Sequence, residues 1–184
     1  MSIISINISL TTIIKIIIKM INSIKIEHTE SGDDSVTLND GSTYEGEFKN
    51  DQPHGYGIMI WSEFKNPNFF KYEGEWKNGV MHGKGCLLLR AGDTYEGYFI
   101  NGLIEGGTII YFNDGSNYEG NLVNGQIEGK GKMTYSTNGE FYVYEGEFKQ
   151  NERHGVGKYS AKEGNIEGVW KNDQRVITNK ITIY

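Results

Sequence analysis

Apolar and polar side chains alternate through most of this chain with the period of a β-strand. In Thr43 to Asn50, Tyr44, Gly46 and Phe48 fall on one face, and Glu45, Glu47 and Lys49 on the other. The same phase returns at Tyr72-Glu73-Gly74-Glu75-Trp76-Lys77, and again from Tyr95, Tyr118 and Tyr144. Asn78-Gly79, Asn101-Gly102 and Asn124-Gly125 follow three of these runs and supply the positive-φ residues of a tight reversal. Each return run opens with glycines, as at Gly83 and Gly85, and continues into apolar residues such as Leu87 and Leu89. Each unit therefore reads as a β-hairpin.

The hairpins repeat. The units begin at Tyr44, Tyr72, Tyr95, Tyr118, Tyr144 and, in degraded form, Ile166, so the spacings are 28, 23, 23, 26 and 22 residues. A fixed period in the twenties marks a repeat architecture. Gly46 to Gly55, Gly74 to Gly83, Gly97 to Gly106, Gly120 to Gly129 and Gly146 to Gly155 are all nine apart. The unit is constant inside and elastic only at its joints. These residues predict an all-β fold, an elongated single twisted antiparallel sheet of tandem β-hairpins advancing ~10 Å per unit. A glycine weakens a strand unless something must approach it closely. Rings of one hairpin are therefore expected over the bare backbone of its neighbour.

The pattern Tyr-x-Gly-x-aromatic-x-Asn-Gly followed by Gly-x-Gly resembles the MORN repeat (membrane occupation and recognition nexus) over roughly residues 41 to 175. Three units depart from it: Thr108 replaces the second glycine of the third, Leu122 replaces the aromatic of the fourth, and the sixth lacks the Gly-x-Gly half. The resemblance implies a non-catalytic scaffold or adaptor for protein partners in cytoskeletal, ciliary or membrane-associated assemblies, in the cytoplasm. It implies two alternatives, a phospholipid-binding module and a regulatory subunit of a partner enzyme such as a phosphoinositide kinase or lysine methyltransferase.

Residues 1–26 stand apart as an isoleucine-rich segment, read as a tail or an extra strand, or as an over-extended start with Met20 as a second initiator. Two lysines interrupt the apolar run, which falls short of the ~20 clean residues of a spanning helix. Residues 27–40 read as an acidic linker, and 41–184 as the repeat domain: five repeats, a partial sixth and a C-terminal cap.

Charge narrows the partners. The net charge is −6, and Lys15, Lys19 and Lys25 are the charges of residues 1–26, so the remainder carries −6 − 3 = −9. An acidic body argues against nucleic acid. Lys15, Lys19 and Lys25 are the contact that a lipid surface would use.

The candidate chemistry is sparse. His54, His82 and His154 share a repeat slot with Glu105 and Glu128. Neighbouring slots ~10 Å apart cannot share a zinc ion that holds its ligands at ~2.0–2.1 Å, so the expected role is turn capping, with no metal and no cofactor. The recurrent Gly-x-Gly pairs lack the helix of a phosphate loop. The row of glutamates from Glu45 to Glu167 reads as a solvated face, lone Cys86 reads as packed, and no nucleophile, base and orienting group form a set.

Two kinds of contact surface remain. The face bearing Tyr72, Trp76, Tyr95 and Phe99 is expected to lie bare for a protein partner or for self-association. Insertions at two junctions are expected to protrude, one with Phe64, Phe69 and Phe70 and one with Phe141 and Tyr142.

Overall fold

A computed structural model describes residues 35–176. They form thirteen strands in one open sheet, each strand hydrogen-bonded antiparallel to the next in the chain. A short edge strand, β1 (Ser35–Thr37), leads. Three hairpins follow: β2 (Thr43–Lys49) with β3 (Gln52–Ile60), β4 (Phe69–Lys77) with β5 (Val80–Leu89), and β6 (Thr94–Ile100) with β7 (Leu103–Tyr111). Three more complete the sheet: β8 (Asn117–Val123) with β9 (Gln126–Thr137), β10 (Glu140–Lys149) with β11 (Glu152–Ala161), and β12 (Gly164–Lys171) with β13 (Gln174–Val176). Among the described residues there is no helix.

The first strand corrects the reading of 27–40 as linker. Val36 pairs with Tyr44, and Val36 and Leu38 are both buried. Two apolar residues in a polar stretch are enough to cover the outer edge of the first repeat.

The hairpin turns form as their residues dictate. Asn78 and Gly79 have φ of 51° and 78°, both positive as a type I′ turn demands. Asn50-Asp51, Gln150-Asn151 and Asn172-Asp173 adopt the same conformation without glycine. Successive turns are tied together. The Gly79 N–H donates to the carbonyl of Pro53, and the Gly102 N–H to that of Met81, each at 2.9 Å.

A row of glycines crosses the sheet. Gly46 pairs with Gly57, Gly57 with Gly74, Gly74 with Gly85 and Gly85 with Gly97. Thr108 interrupts the row opposite Gly120, and the row then runs through Gly131, Gly146 and Gly157 to Gly168. The rings that lie on it come from the same hairpin, not from a neighbour as expected. Tyr72 stands two residues before Gly74, and a Cβ on either Gly74 or Gly85 would collide with its hydroxyl. Tyr44, Tyr118 and Tyr144 cover their own glycine pairs in the same way. The period of two explains it, because a side chain at i stands on the face that residue i+2 leaves bare.

Once flat, each tyrosine anchors its neighbours edge to face. Tyr44 meets Phe48 of its own strand and Trp76 of the next hairpin at centroid distances of 4.9 and 5.6 Å. Tyr72 meets Trp76 and Phe99 at 5.1 and 5.0 Å, and Tyr144 meets Phe148 and Trp170 at 5.1 and 5.2 Å. Such pairs contribute ~0.5–1.5 kcal/mol each beyond their burial. The ladder joins each repeat to the next, the nearest-neighbour coupling of a solenoid.

Candidate functional site

The aromatic face is a core. Tyr72 is fully buried, Phe99 and Trp76 are nearly so, and Tyr95 is half-buried. The expectation of a bare strip at Tyr72, Trp76, Tyr95 and Phe99 is corrected, because a single sheet can cover this face with its own rings. The phenols are sealed as well as packed. The Tyr72 hydroxyl donates toward the carbonyls of Glu75 and His82 at 3.0 and 3.2 Å, and Trp76 Nε1 donates to the Gly57 carbonyl at 3.1 Å. Burial pushes the phenols of Tyr44, Tyr118, Tyr135 and Tyr144 up to about 12 and raises those of Tyr72 and Tyr95 too.

Repeat three departs from the others at Thr108, which occupies the glycine row. A Cβ on Gly97 would meet the Thr108 hydroxyl at 3.0 Å rather than a tyrosine ring, so Tyr95 does not cover its own hairpin.

The His/Glu slot caps turns. His54 Nδ1 accepts from the Asn78 N–H at 3.4 Å, Glu105 from the Asn124 N–H at 3.0 Å, and Glu128 from the Gln150 N–H at 3.0 Å. Each acceptor sits in one repeat and each donor in the turn of the next. His82 Nδ1 is buried in the same slot without a partner among the described residues. No three His, Cys, Asp or Glu side chains there are grouped to hold a metal ion.

A second clasp lies inside the hairpin. The Glu47 carboxylate accepts from the Tyr56 N–H, and the Glu75 carboxylate from the Lys84 N–H, each at 2.9 Å. Each sits directly over a positive-φ glycine, Gly55 and Gly83 respectively, and Glu147 covers Gly155 likewise. Repeats three and four carry Tyr98 and Asn121 in this place, and there Gly106 and Gly129 face open space. Reading these glutamates only as a solvated face missed the clasp. Its signal was in the chain, since Glu-Gly-Glu occurs in repeats one, two and five and not in the two between.

The first insertion is a pinned loop that joins β3 to β4. The Asn66 side chain is buried and accepts from the N–H groups of Asn68 and Phe69 at 3.2 and 2.9 Å. Arg90 donates from its guanidinium to the carbonyls of Trp61 and Asn66, and its N–H reaches the Asn68 carbonyl at 2.9 Å. Phe64 is 99 % exposed at the tip. Phe70 is exposed under the Arg90 guanidinium, 5.4 Å from its ring. Phe69 is buried 5.3 Å from the Trp61 ring, which corrects its placement among protruding residues. The second insertion lengthens the hairpin of β9 and β10 around the Asn138-Gly139 turn. Phe141 is exposed there, while Tyr142 stacks on Tyr159 at 6.3 Å and is half-buried.

The opposite face carries the glutamate row. Across the strands from β2 to β12 its register reads Glu45, Ile58, Glu73, Cys86, Glu96, Ile109, Glu119, Lys132, Glu145, Lys158 and Glu167. Return strands thus present Ile58, Cys86 and Ile109 in the first three repeats, and lysine in the next two. Lys132 reaches Glu145 at 3.5 Å. Glu73 is held below the usual carboxylate range by its hydrogen bond from Lys71 and then by the Tyr56 hydroxyl. Burial raises the Cys86 thiol, with Glu96 and Glu73 adding to the effect. A hollow of 840 Å³ opens on this face at Gly107, bordered by Cys86, Glu96, Tyr98, Ile109 and Glu119.

The model of the MORN repeat family matches residues 44–63, 72–94, 95–106, 118–140 and 144–166, together more than half of the chain. The third match stops just before Gly107 and Thr108, where the glycine row breaks. No curated protein matches the chain.

Proposed function

As the chain belongs to the MORN-repeat family, we propose that it is a non-catalytic scaffold or adaptor, holding a protein partner at the loop between β3 and β4. Such repeats are often involved in binding and are generally non-catalytic. One observation carries the reading: Phe64 stands 99 % exposed on a loop fixed by the buried Asn66 and by Arg90. Loops are ordinarily mobile, and holding a bare phenylalanine in water brings the fold no burial. A pre-ordered aromatic loses little entropy when a partner covers it, which is how interface anchors reach high affinity. The setting we propose is a cytoplasmic assembly on the cytoskeleton or at a membrane.

The test is affinity capture of the tagged full chain beside Phe64→Ala and Phe141→Ala, with melting temperatures measured for all three. Phe64→Ala is expected to melt like the parent and lose a captured protein that Phe141→Ala retains. Recovery of the same proteins by the Phe64→Ala chain overturns the reading. An enzyme in the lost set, such as a lipid kinase or a methyltransferase, makes the chain that enzyme's regulatory subunit.

A further inference from the structure

The outer face of the first three repeats is dressed differently from the rest of the sheet. Its central row alternates glutamate with Ile58, Cys86 and Ile109, where later repeats alternate glutamate with lysine. Tyr56, Ile60, Tyr98 and Tyr111 flank that row and are all exposed. The hollow at Gly107 lies between them. Among the described residues no cation is paired to Glu45 or Glu96, whereas Glu73 has Lys71 and Glu145 has Lys132. This surface asks for a cover that is apolar, cationic and free of acid.

The chain contains such a cover. Residues 1–26 hold twelve isoleucines, Lys15, Lys19 and Lys25, and no acidic residue. They lie outside the described residues, but the point where they join is fixed. Ser35 pairs with Glu45, so the chain leaves β1 at the head of the glutamate row. Residues 27–34 span up to ~26 Å when extended, enough to reverse and cross onto the face. Glu45 and Glu96 stand four strands apart, ~19 Å. Lys25 and Lys19 stand six residues apart, ~20 Å in extended chain. Glu119 lies two strands further, ~10 Å, and Lys15 four residues further, ~13 Å.

We propose that residues 1–26 lie across the outer face of β2 to β8 in the same molecule, placing Lys25, Lys19 and Lys15 on Glu45, Glu96 and Glu119. The isoleucines cover Ile58, Cys86 and Ile109, giving the sheet a second layer over its first three repeats. The cover hides an apolar surface that would otherwise invite association, and it reserves that surface for whatever displaces it. It does not depend on the Phe64 loop as a partner site, so the two readings stand or fall separately.

Cys86, the one cysteine of the chain, sits in the covered row between Glu73 and Glu96 and serves as the probe. The rate of its alkylation by iodoacetamide is measured on the full chain and on the Lys15→Glu, Lys25→Glu double variant. The variant is expected to react about tenfold faster, the factor that corresponds to ~1.4 kcal/mol of lost cover. Adding Glu45→Lys and Glu119→Lys to it is expected to restore the slow rate. Equal rates in the parent and the double variant overturn the proposal. A separate measurement places a cysteine at Met20→Cys, which the strand spacing sets over β5. Oxidation is expected to give an intrachain disulfide with Cys86. Disulfide-linked dimers overturn the proposal in favour of a second copy, and failure to form any disulfide overturns it outright. Cosedimentation with phosphatidylserine vesicles while Cys86 reacts at one rate in both chains overturns it in favour of a lipid surface.

Discussion

The Tyr72 ring lies across Gly85 so closely that a methyl group on that glycine would overlap the phenol. Gly85 is also paired with Gly74, and a Cβ on Gly74 would strike the Gly85 backbone. A contact this tight leaves no room for even one carbon. Gly85→Ala is therefore expected to destabilise by ~1–3 kcal/mol through overpacking. Gly107, one position before the row in repeat three, has nothing within reach of a Cβ. Gly107→Ala is expected to be neutral or to stabilise by ~0.4–1 kcal/mol, by narrowing the unfolded ensemble. Thermal melts of the two variants decide the matter, and equal shifts would remove the close-approach account of the glycine row.

The phenol hydroxyl has its own part. Tyr72 donates to two backbone carbonyls, while the Tyr95 hydroxyl makes no hydrogen bond among the described residues. Tyr72→Phe is expected to cost ~0.5–1.5 kcal/mol, the net worth of a hydrogen bond, and Tyr95→Phe close to nothing. Chemical denaturation of both variants measures the difference. An equal loss would mean that Tyr95 seals a carbonyl after all.

The clasp found in repeats one, two and five can be moved. Asn121 stands where those repeats carry glutamate, and Gly129 beneath it is open. Asn121→Glu is expected to place a carboxylate over Gly129, to accept the Lys130 N–H and to stabilise by ~0.5–1.5 kcal/mol. A crystal structure of the variant checks the geometry, and a melt checks the sign. A destabilised variant would show that the clasp depends on its own repeat.

Most of the architecture was legible because each repeat obeys one local rule. Alternation put Tyr44, Phe48 and Trp76 on one face, and Asn78-Gly79 made the turn that its φ preferences allow. The fate of that face was not legible. Periodicity states which side a ring takes, but it does not state that rings at i and i+4, together with the glycine at i+2, suffice to bury one another. For the same reason Phe69 and Phe70, adjacent in sequence, part company: one turns to Trp61 and the other to solvent. The short β1 was missed because three residues carry too little pattern to stand out from a polar stretch. Glu75 was misread because a bulge, which alternation does not describe, swings its carboxylate onto a backbone N–H.

Burial of so many phenols gives the fold an alkaline limit. Tyr44, Tyr118, Tyr135 and Tyr144 are each raised to about 12 in the folded chain, against 10.0 for a free tyrosine. Desolvation is the main cause in every case, because these rings would have to bear a charge inside the aromatic layer. A raised acid binds its proton more tightly when folded. The stabilisation is therefore complete below pH 10 and is lost as pH climbs toward 12, since the unfolded chain ionises first. The melting temperature is expected to be flat from neutral pH to about 10 and then to fall steeply, with tyrosinate absorbance from these residues appearing together with unfolding. Tyr144→Phe is expected to start lower, because the donation to Glu147 at 3.1 Å is lost, and to decline less steeply above pH 10, because one phenol no longer pulls toward the unfolded state. A parent protein whose buried tyrosines ionise near pH 10 while the sheet remains folded would show that the aromatic layer is open to water.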